Sequence, residues 1–436
     1  MKLAGKRVAY ITLGCKLNFS ETSTIRHALE KEGTVTVGEK EGAEIVIINT
    51  CSVTDVAEKK GRQMIRKTVH RNPGSYVVVV GCYAQLRAEE LQKIDGVKLV
   101  LGSHDKFKVA HYLLYEEEQA SVMPCSGSDI FRLDQFDLAY SYGDRTRSFL
   151  KIQDGCDYFC SYCTIPYARG KSRSATIPQV VQVVEEAASR HIREIILTGV
   201  NTGDFGHHSG ENFMTLLQTL DRYDGIARYR ISSIEPNLLT DEIIDFVASS
   251  RHFMPHFHIP LQSGSDEMLR LMKRRYDCAL FARKIEKIRQ RIPDAFIGVD
   301  IIAGTRGERE ELFAESWRFA EGLDVSRLHV FPYSERSGTQ ALELTPVVPA
   351  AERHRRVGQL IELSEEKQTA FYSKYTGTTR PVLFEESCIG GSIGGFTDNY
   401  IRVELPYKES LGNQLKEVVL GEINENGHLD GSLKIT

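Results

Sequence analysis

The chain has no stretch of about 18 consecutive apolar residues, so no part of it reads as a membrane span. Its start, MKLAGKRVAYITLGC, lacks the long apolar core and small-residue cleavage site of a secretory leader and reads instead as a first strand. The expected location is therefore the cytoplasm. In that reducing compartment the nine cysteines are poor candidates for disulfides and better ones for metal binding or catalysis. A strong excess of one charge is also missing. The formal net charge of −4 neither demands nor excludes a nucleic-acid partner, because binding depends on local patches. What is present is ordinary globular composition, 26% charged and 41% hydrophobic, over 436 residues. At roughly 150 residues per domain there is room for about three domains.

The expected class is α/β, in three parts. Residues 1–115 alternate short apolar strands (RVAYITLG, EIVIINT, YVVVVG, VKLVLG) with helices, two of them at about Phe19–Lys31 and Val56–His70. That rhythm predicts a parallel sheet covered on both faces, with its ligand edge at the strand carboxyl ends. Residues 116–143 are polar and irregular and read as a linker, with Cys125 alone in it. Residues 144–372 repeat strand and helix six times, with strands near 147–152, 194–199, 228–233, 256–261, 296–302 and 327–332. Six such units predict a partial (βα)6 barrel with its catalytic loops at the strand carboxyl ends. After Pro178, Val180, Val183, Val184 and Ala187 share one helix face. Residues 375–436 change to short strands (RPVLFEES, YIRVELP, KEVVLGEI) between turns such as GGSIGG and NENG, a small OB-like β-barrel.

The loop after the first barrel strand, DGCDYFCSYC, holds Cys156, Cys160 and Cys163 in the spacing C-x3-C-x2-C. A structural zinc site wants a fourth Cys or His, and none lies between Asp154 and Arg190. Three thiolates can hold three corners of a four-iron cube and leave one iron open for a small molecule. A second set is dispersed. Cys15, Cys51 and Cys82 follow the first three strands of the N-terminal region, 36 and 31 residues apart. On a parallel sheet these positions share one edge, and neighbouring strands about 5 Å apart bring them to one site. Again three ligands leave one iron open.

The complete C-x3-C-φ-C hallmark, with Tyr162 as its aromatic, resembles the radical S-adenosylmethionine (radical SAM) superfamily. In that family the open iron chelates the amino and carboxylate groups of SAM, and reduction cleaves a C–S bond to give a 5′-deoxyadenosyl radical. Two three-Cys sites in this order resemble the methylthiotransferases of that superfamily. So do FCSYCTIPYARG, HIPLQSGS and HVFPYSERSGTQA, while FTDNYIRVEL looks like a TRAM barrel. The resemblance implies two 4Fe-4S clusters, on Cys15, Cys51 and Cys82 and on Cys156, Cys160 and Cys163. It implies SAM as both methyl donor and radical source, an external low-potential reductant and a sulfur source. Tyr162, Gly199, Ser233, Glu235, Gln262 and Asp300 become the expected SAM contacts. GVDIIAGTRGE departs from the family at Thr305-Arg306, where Phe-Pro is common.

GCKLN and KIQDGC resemble the threonylcarbamoyladenosine subgroup. The expected reaction is insertion of a methylthio group at adenine C2 of N6-threonylcarbamoyladenosine, beside the anticodon of a tRNA. Alternatives are isopentenyladenosine in tRNA, an aspartate of a ribosomal protein, or a non-catalytic iron–sulfur or RNA-binding module. The expected partner is a tRNA anticodon stem-loop, with no membrane, and the enzyme is expected to be a monomer. Basic runs at Lys59–Arg71, Ala168–Arg173 and Arg270–Tyr276 offer phosphate contacts, and Tyr167 or Tyr276 a stacking face. The tail from Tyr375 has five Lys/Arg against nine Asp/Glu, a poor footprint for RNA. His252, His256 and His258 resemble a metal cluster but lack further ligands, so packing is expected. His207-His208 reads as a loop pair, and Cys278 and Cys388 have no partner in any pattern.

Overall fold

A computed structural model describes residues 1–114, 129–143 and 146–434; Cys125 lies outside them. The N-terminal domain is a five-stranded parallel sheet in the order Val35–Thr36, Arg7–Thr12, Ile45–Thr50, Tyr76–Gly81, Val97–Leu101. Strand side chains alternate between two cores. Ala9, Ile11, Val46, Ile48, Val77 and Val79 pack with Ile65 of helix Asp55–Arg71. Val8, Ile45, Ile47, Val78 and Val80 pack with Ile25 and Leu29 of helix Lys16–Lys31 on the other face. Burial on both faces explains why these strands read as continuous apolar runs. The first helix begins at Lys16, not Phe19, because Cys15 is its N-cap. The second is capped by Thr54, whose hydroxyl accepts from Ala57 N at 3.1 Å.

The central domain has six parallel strands. Arg147–Lys151, Glu194–Thr198 and Arg228–Ile231 form one sheet, and His256–Gln262, Phe296–Ala303 and Arg327–Pro332 another. Isolated bridges Tyr229–Phe253 and Ser233–His258 join them into one open barrel. Within the expected linker, Ala139–Tyr140 pairs antiparallel with the first barrel strand. Helix Ile177–Ser189 starts in a capping box of Thr176 and Gln179 and buries Val180, Val183, Val184 and Ala187.

Helix Ala350–Ser373 leads to a closed five-stranded barrel, Thr379–Ile389, Ser392–Thr397, Arg402–Pro406, Leu429–Leu433, Leu415–Ile423 in spatial order. GGSIGG is only half a turn. Gly390 and Gly391 turn the chain, while Ser392–Gly395 is strand. A Cβ on Gly395 would lie 2.6 Å from Leu383 O, so its glycine serves close strand packing. This barrel seals the amino-terminal end of the central one. Arg228 donates to the carbonyls of Phe396 and Pro381, and Arg230 to those of Asp398 and Thr397, at 2.7–3.0 Å. Buried Glu194 accepts from Arg230 at 3.0 Å. The cysteine loops lie at the opposite end of the strands. Among the described residues no helix is long and apolar enough to cross a membrane.

Candidate iron–sulfur and SAM site

The strand register places the dispersed cysteines together. Thr12 pairs with Asn49 and Thr50 with Gly81, so the chain leaves the sheet at one level before Cys15, Cys51 and Cys82. Two glycines make the close approach feasible. Gly14 has φ +105°, and a Cβ there would sit 2.5 Å from Cys51 Cβ. Gly81 has φ +102°, and its Cβ would sit 2.5 Å from Thr50 O. Asn18 ties the loops, donating to Leu13 O at 2.8 Å and Thr50 O at 3.0 Å. Burial and the neighbouring thiols Cys82 and Cys15 push Cys51 up to about 12.

The second set lies on one loop of the central domain. Burial again pushes Cys156 and Cys163 up to about 12, with the other thiols of the set adding to the shift. Arg274 donates to Cys160 Sγ at 3.0 Å and pairs with Glu235. Among the described residues no three His, Cys, Asp or Glu side chains close on a single-ion site. A four-iron cube does not require that closeness, since its thiolates bind different irons. The donors fit such a group: each set is thiol-only and self-repelling once ionised, which ligation relieves, and every thiol but the exposed Cys15 is buried or half-buried.

A cavity of about 320 Å³ lies between the radical SAM loop and the segment that follows Cys51. Cys156, Cys160 and Cys163 line it from the barrel, and Val53 and Thr54, just after Cys51, line it from the N-terminal domain. Further interdomain bonds run beside it. Asp55 N donates to Ser334 Oγ at 2.8 Å, and Arg336 donates to Ser52 Oγ at 2.7 Å and pairs with Glu58.

Tyr162, Ser233, Glu235, Gln262 and Asp300 all line this cavity. Gly199 does not. It packs against Gln153, whose Oε1 would lie 2.9 Å from a Cβ there, and its neighbours Val200 and Asn201 form the wall instead. Asn201 is buried, with Oδ1 and Nδ2 both unpartnered in the protein, so a polar ligand is the fitting partner. Burial raises the Glu235 carboxyl, and Arg274 opposes it. His258 is bonded to Asp300 at 2.7 Å, and His256 stacks on Phe296, so packing and pairing account for both. His252 pairs with Asp224 at 3.2 Å.

Residues 7–102 match the Uncharacterized protein family UPF0004, and residues 150–320 match the Radical SAM superfamily. The Bacillus subtilis (strain 168) protein named threonylcarbamoyladenosine tRNA methylthiotransferase MtaB is 37% identical over 94% of this chain and 93% of its own. A tRNA-2-methylthio-N(6)-dimethylallyladenosine synthase of Clostridium botulinum (strain Hall) is 30% identical over 86% and 85%. The radical SAM methyltransferase TsrM from Kitasatospora setae, solved with tryptophan and a SAM analog, shares the fold. Its TM-score is 0.58 at 15% identity, over 75% of this chain and 73% of that one.

The chain belongs to the radical SAM methylthiotransferases. As a member of that family it takes a 4Fe-4S cluster and SAM at its radical SAM domain. The fold corrects part of the expected RNA surface of this methylthiotransferase. Arg274 and Tyr276 are not RNA contacts. Both are buried in the wall of the cluster loop, where Tyr276 donates to Pro260 O at 2.6 Å. Arg169 and Arg173 of ARGKSR are buried too, and Lys171 is exposed. Lys59, Lys60, Arg66, Lys67 and Arg71 remain on a solvated helix face, and Tyr167 is 42% exposed. Asn18, Arg169, Asn201 and Arg274 are candidate-site residues that motif spacing did not reveal. Asn18 was within the quoted GCKLN and Arg169 within FCSYCTIPYARG, so the signal existed without a reason attached.

Proposed function

We propose that this methylthiotransferase inserts a methylthio group at C2 of the adenine in N6-threonylcarbamoyladenosine, beside the anticodon of tRNA, using two 4Fe-4S clusters. The observation that carries the reading is a cavity lined by Cys156, Cys160 and Cys163 and, from the N-terminal domain, by Val53 and Thr54 just after Cys51, in a chain 37% identical to a threonylcarbamoyladenosine tRNA methylthiotransferase. When bound, the clusters and SAM supply methyl donation, sulfur storage and radical abstraction of an unactivated hydrogen; the protein's task is placement and exclusion of water.

Its residues divide that task. Cys156, Cys160 and Cys163 hold the cluster that receives SAM, and Cys15, Cys51 and Cys82 hold the one that carries sulfur. Asn201 and Ser233 present polar atoms to SAM. Glu235 is held in place by Arg274, and Gln262 and Asp300 complete the polar wall. Phe331, 46% exposed on the cavity wall, offers an apolar face to the adenine. The exposed basic face of helix Asp55–Arg71 faces RNA phosphates. A low-potential reductant and a sulfur source come from outside, and the enzyme acts as a cytoplasmic monomer.

The test is mass spectrometry of nucleosides from total tRNA of cells with and without the gene. Loss of the methylthio form of threonylcarbamoyladenosine, with accumulation of its precursor, is expected. Loss of the methylthio isopentenyl form instead would transfer the activity to that tRNA, and no change in any tRNA nucleoside would point to a ribosomal protein. Anaerobic reconstitution should yield about eight irons per chain.

A further inference from the structure

Arg169 is 1% exposed and ends the short helix Ile165–Arg169, just after Cys163 of the radical SAM loop. Its five N–H donors are all used, across two domains. Nη1 donates to Glu21 at 2.9 Å and Asp154 at 2.8 Å. Nη2 donates to Asn18 Oδ1 at 2.8 Å and Glu21 at 3.3 Å. Nε donates to the Cys82 sulfur at 3.2 Å. A guanidinium between two buried carboxylates has its charge satisfied without a thiol.

The surrounding charges give that last contact its meaning. Arg169, Lys106, Lys151 and Arg173 are buried cations, and Glu21 and Asp154 are the buried carboxylates that face them. Four cations against two anions is an expensive surplus unless another anion adjoins it. Cys82 and Cys15 are the neighbouring groups able to supply one, as ligands of an iron–sulfur cluster. A hydrogen bond and a positive charge at a ligating sulfur favour the reduced, more negative cluster.

We propose that Arg169, a residue of the radical SAM domain, is a positioning residue for the N-terminal iron–sulfur cluster: its Nε–H bonds the Cys82 sulfur and raises that cluster's reduction potential. The potential then depends on the docking of the two domains, since the donor and the ligand come from different ones. Arg274 makes the matching contact to Cys160, but inside one domain. The inference rests on the two-cluster reading of the proposed function.

The experiment is a redox titration followed by electron paramagnetic resonance, on full-length protein carrying Cys160→Ala so that only the N-terminal cluster remains. Parent, Arg169→Lys and Arg169→Gln are compared. Lysine keeps a charge for Glu21 and Asp154 but cannot also reach Cys82, so this variant guards against simple misfolding. The expected result is a midpoint potential more negative than the parent's in Arg169→Lys, with an altered signal shape. Loss of iron from Arg169→Lys, in a chain that keeps the parent's circular dichroism, supports the same contact. An unmoved midpoint in both variants with full iron overturns the inference and leaves the two-cluster reading intact. A parent that binds no iron overturns that reading, and the inference with it.

Discussion

Cys156, Cys160 and Cys163 come from one loop, whereas Cys15, Cys51 and Cys82 come from three strand ends of a five-stranded sheet. The first set needs only a local turn to bring its thiols together. The second needs the register Thr12–Asn49 and Thr50–Gly81, two glycines at positive φ, and Asn18 spanning the loops. The arginines follow the same contrast. Arg274 reaches Cys160 within its own domain, and Arg169 reaches Cys82 across an interface. A site made by a loop answers to local sequence, while one made by a sheet edge answers to the stability and docking of a whole domain.

The largest effects separate the two sets by role. Cys160→Ala should abolish SAM cleavage to 5′-deoxyadenosine. Cys51→Ala should leave cleavage largely intact while stopping methylthio insertion. Assays of 5′-deoxyadenosine and of modified nucleoside on both variants check this, and loss of cleavage in Cys51→Ala alone would end the division of labour.

Next is the far end of the barrel, at the opposite end of the strands from the cysteine loops. Arg230→Met leaves buried Glu194 poorly paired and removes two bonds to the C-terminal barrel. A loss of about 3–5 kcal/mol in unfolding free energy is expected, with iron content unchanged. Denaturant unfolding beside an iron assay checks it; iron lost selectively from one set would show long-range dependence on this seal.

Asn18→Ala sharpens the contrast from inside the sheet-edge site. Two buried carbonyls lose a donor, at about 1–3 kcal/mol each at most, and the cluster affinity should fall about 10–100-fold. Iron per chain should drop toward half in dilute protein while SAM cleavage persists. Equal loss from both sets would show that they are not independent.

The smallest effect is one of pH, at a histidine that packs on His258 beside the cavity-lining Asp300. Burial, then the charge of His258, push the His329 imidazole down to about 4 from an ordinary 6.5. The native state then binds fewer protons than the unfolded one between those values. Stability should be constant above about pH 6.5, fall as the pH drops towards 4, and level off below. Partial exposure limits the loss to on the order of 1–2 kcal/mol. Comparing His329→Gln with the parent from pH 7 to 4 isolates it, and identical slopes would remove His329 as the cause.

Legibility followed the range of the forces involved. The six barrel strands were readable because each is a short apolar run between turns, and Cys156, Cys160 and Cys163 because their spacing is local. The dispersed cysteines were readable only through the inference of a parallel sheet. Arg169 and Arg274 were misread as surface charge because a run of Lys and Arg looks alike whether solvated or buried. Gly199 was chosen as a SAM contact, whereas Asn201, two residues later, is the one whose side chain lies unpartnered at the cavity. GGSIGG was read as a turn because glycine permits both a turn and the close strand packing found at Gly395.

By itself the amino-acid order determined the α/β class, the strand ends and which six thiols are candidate ligands, since these follow from periodicity and residue chemistry along the chain. Only the tertiary structure decided that the Cys156, Cys160 and Cys163 loop and the segment after Cys51 face one cavity, that the C-terminal barrel closes the opposite end, and that Arg169 bridges the two domains at Cys82. Those are contacts between segments far apart in sequence, set by sheet register and by the pairing of charges that burial does not tolerate alone.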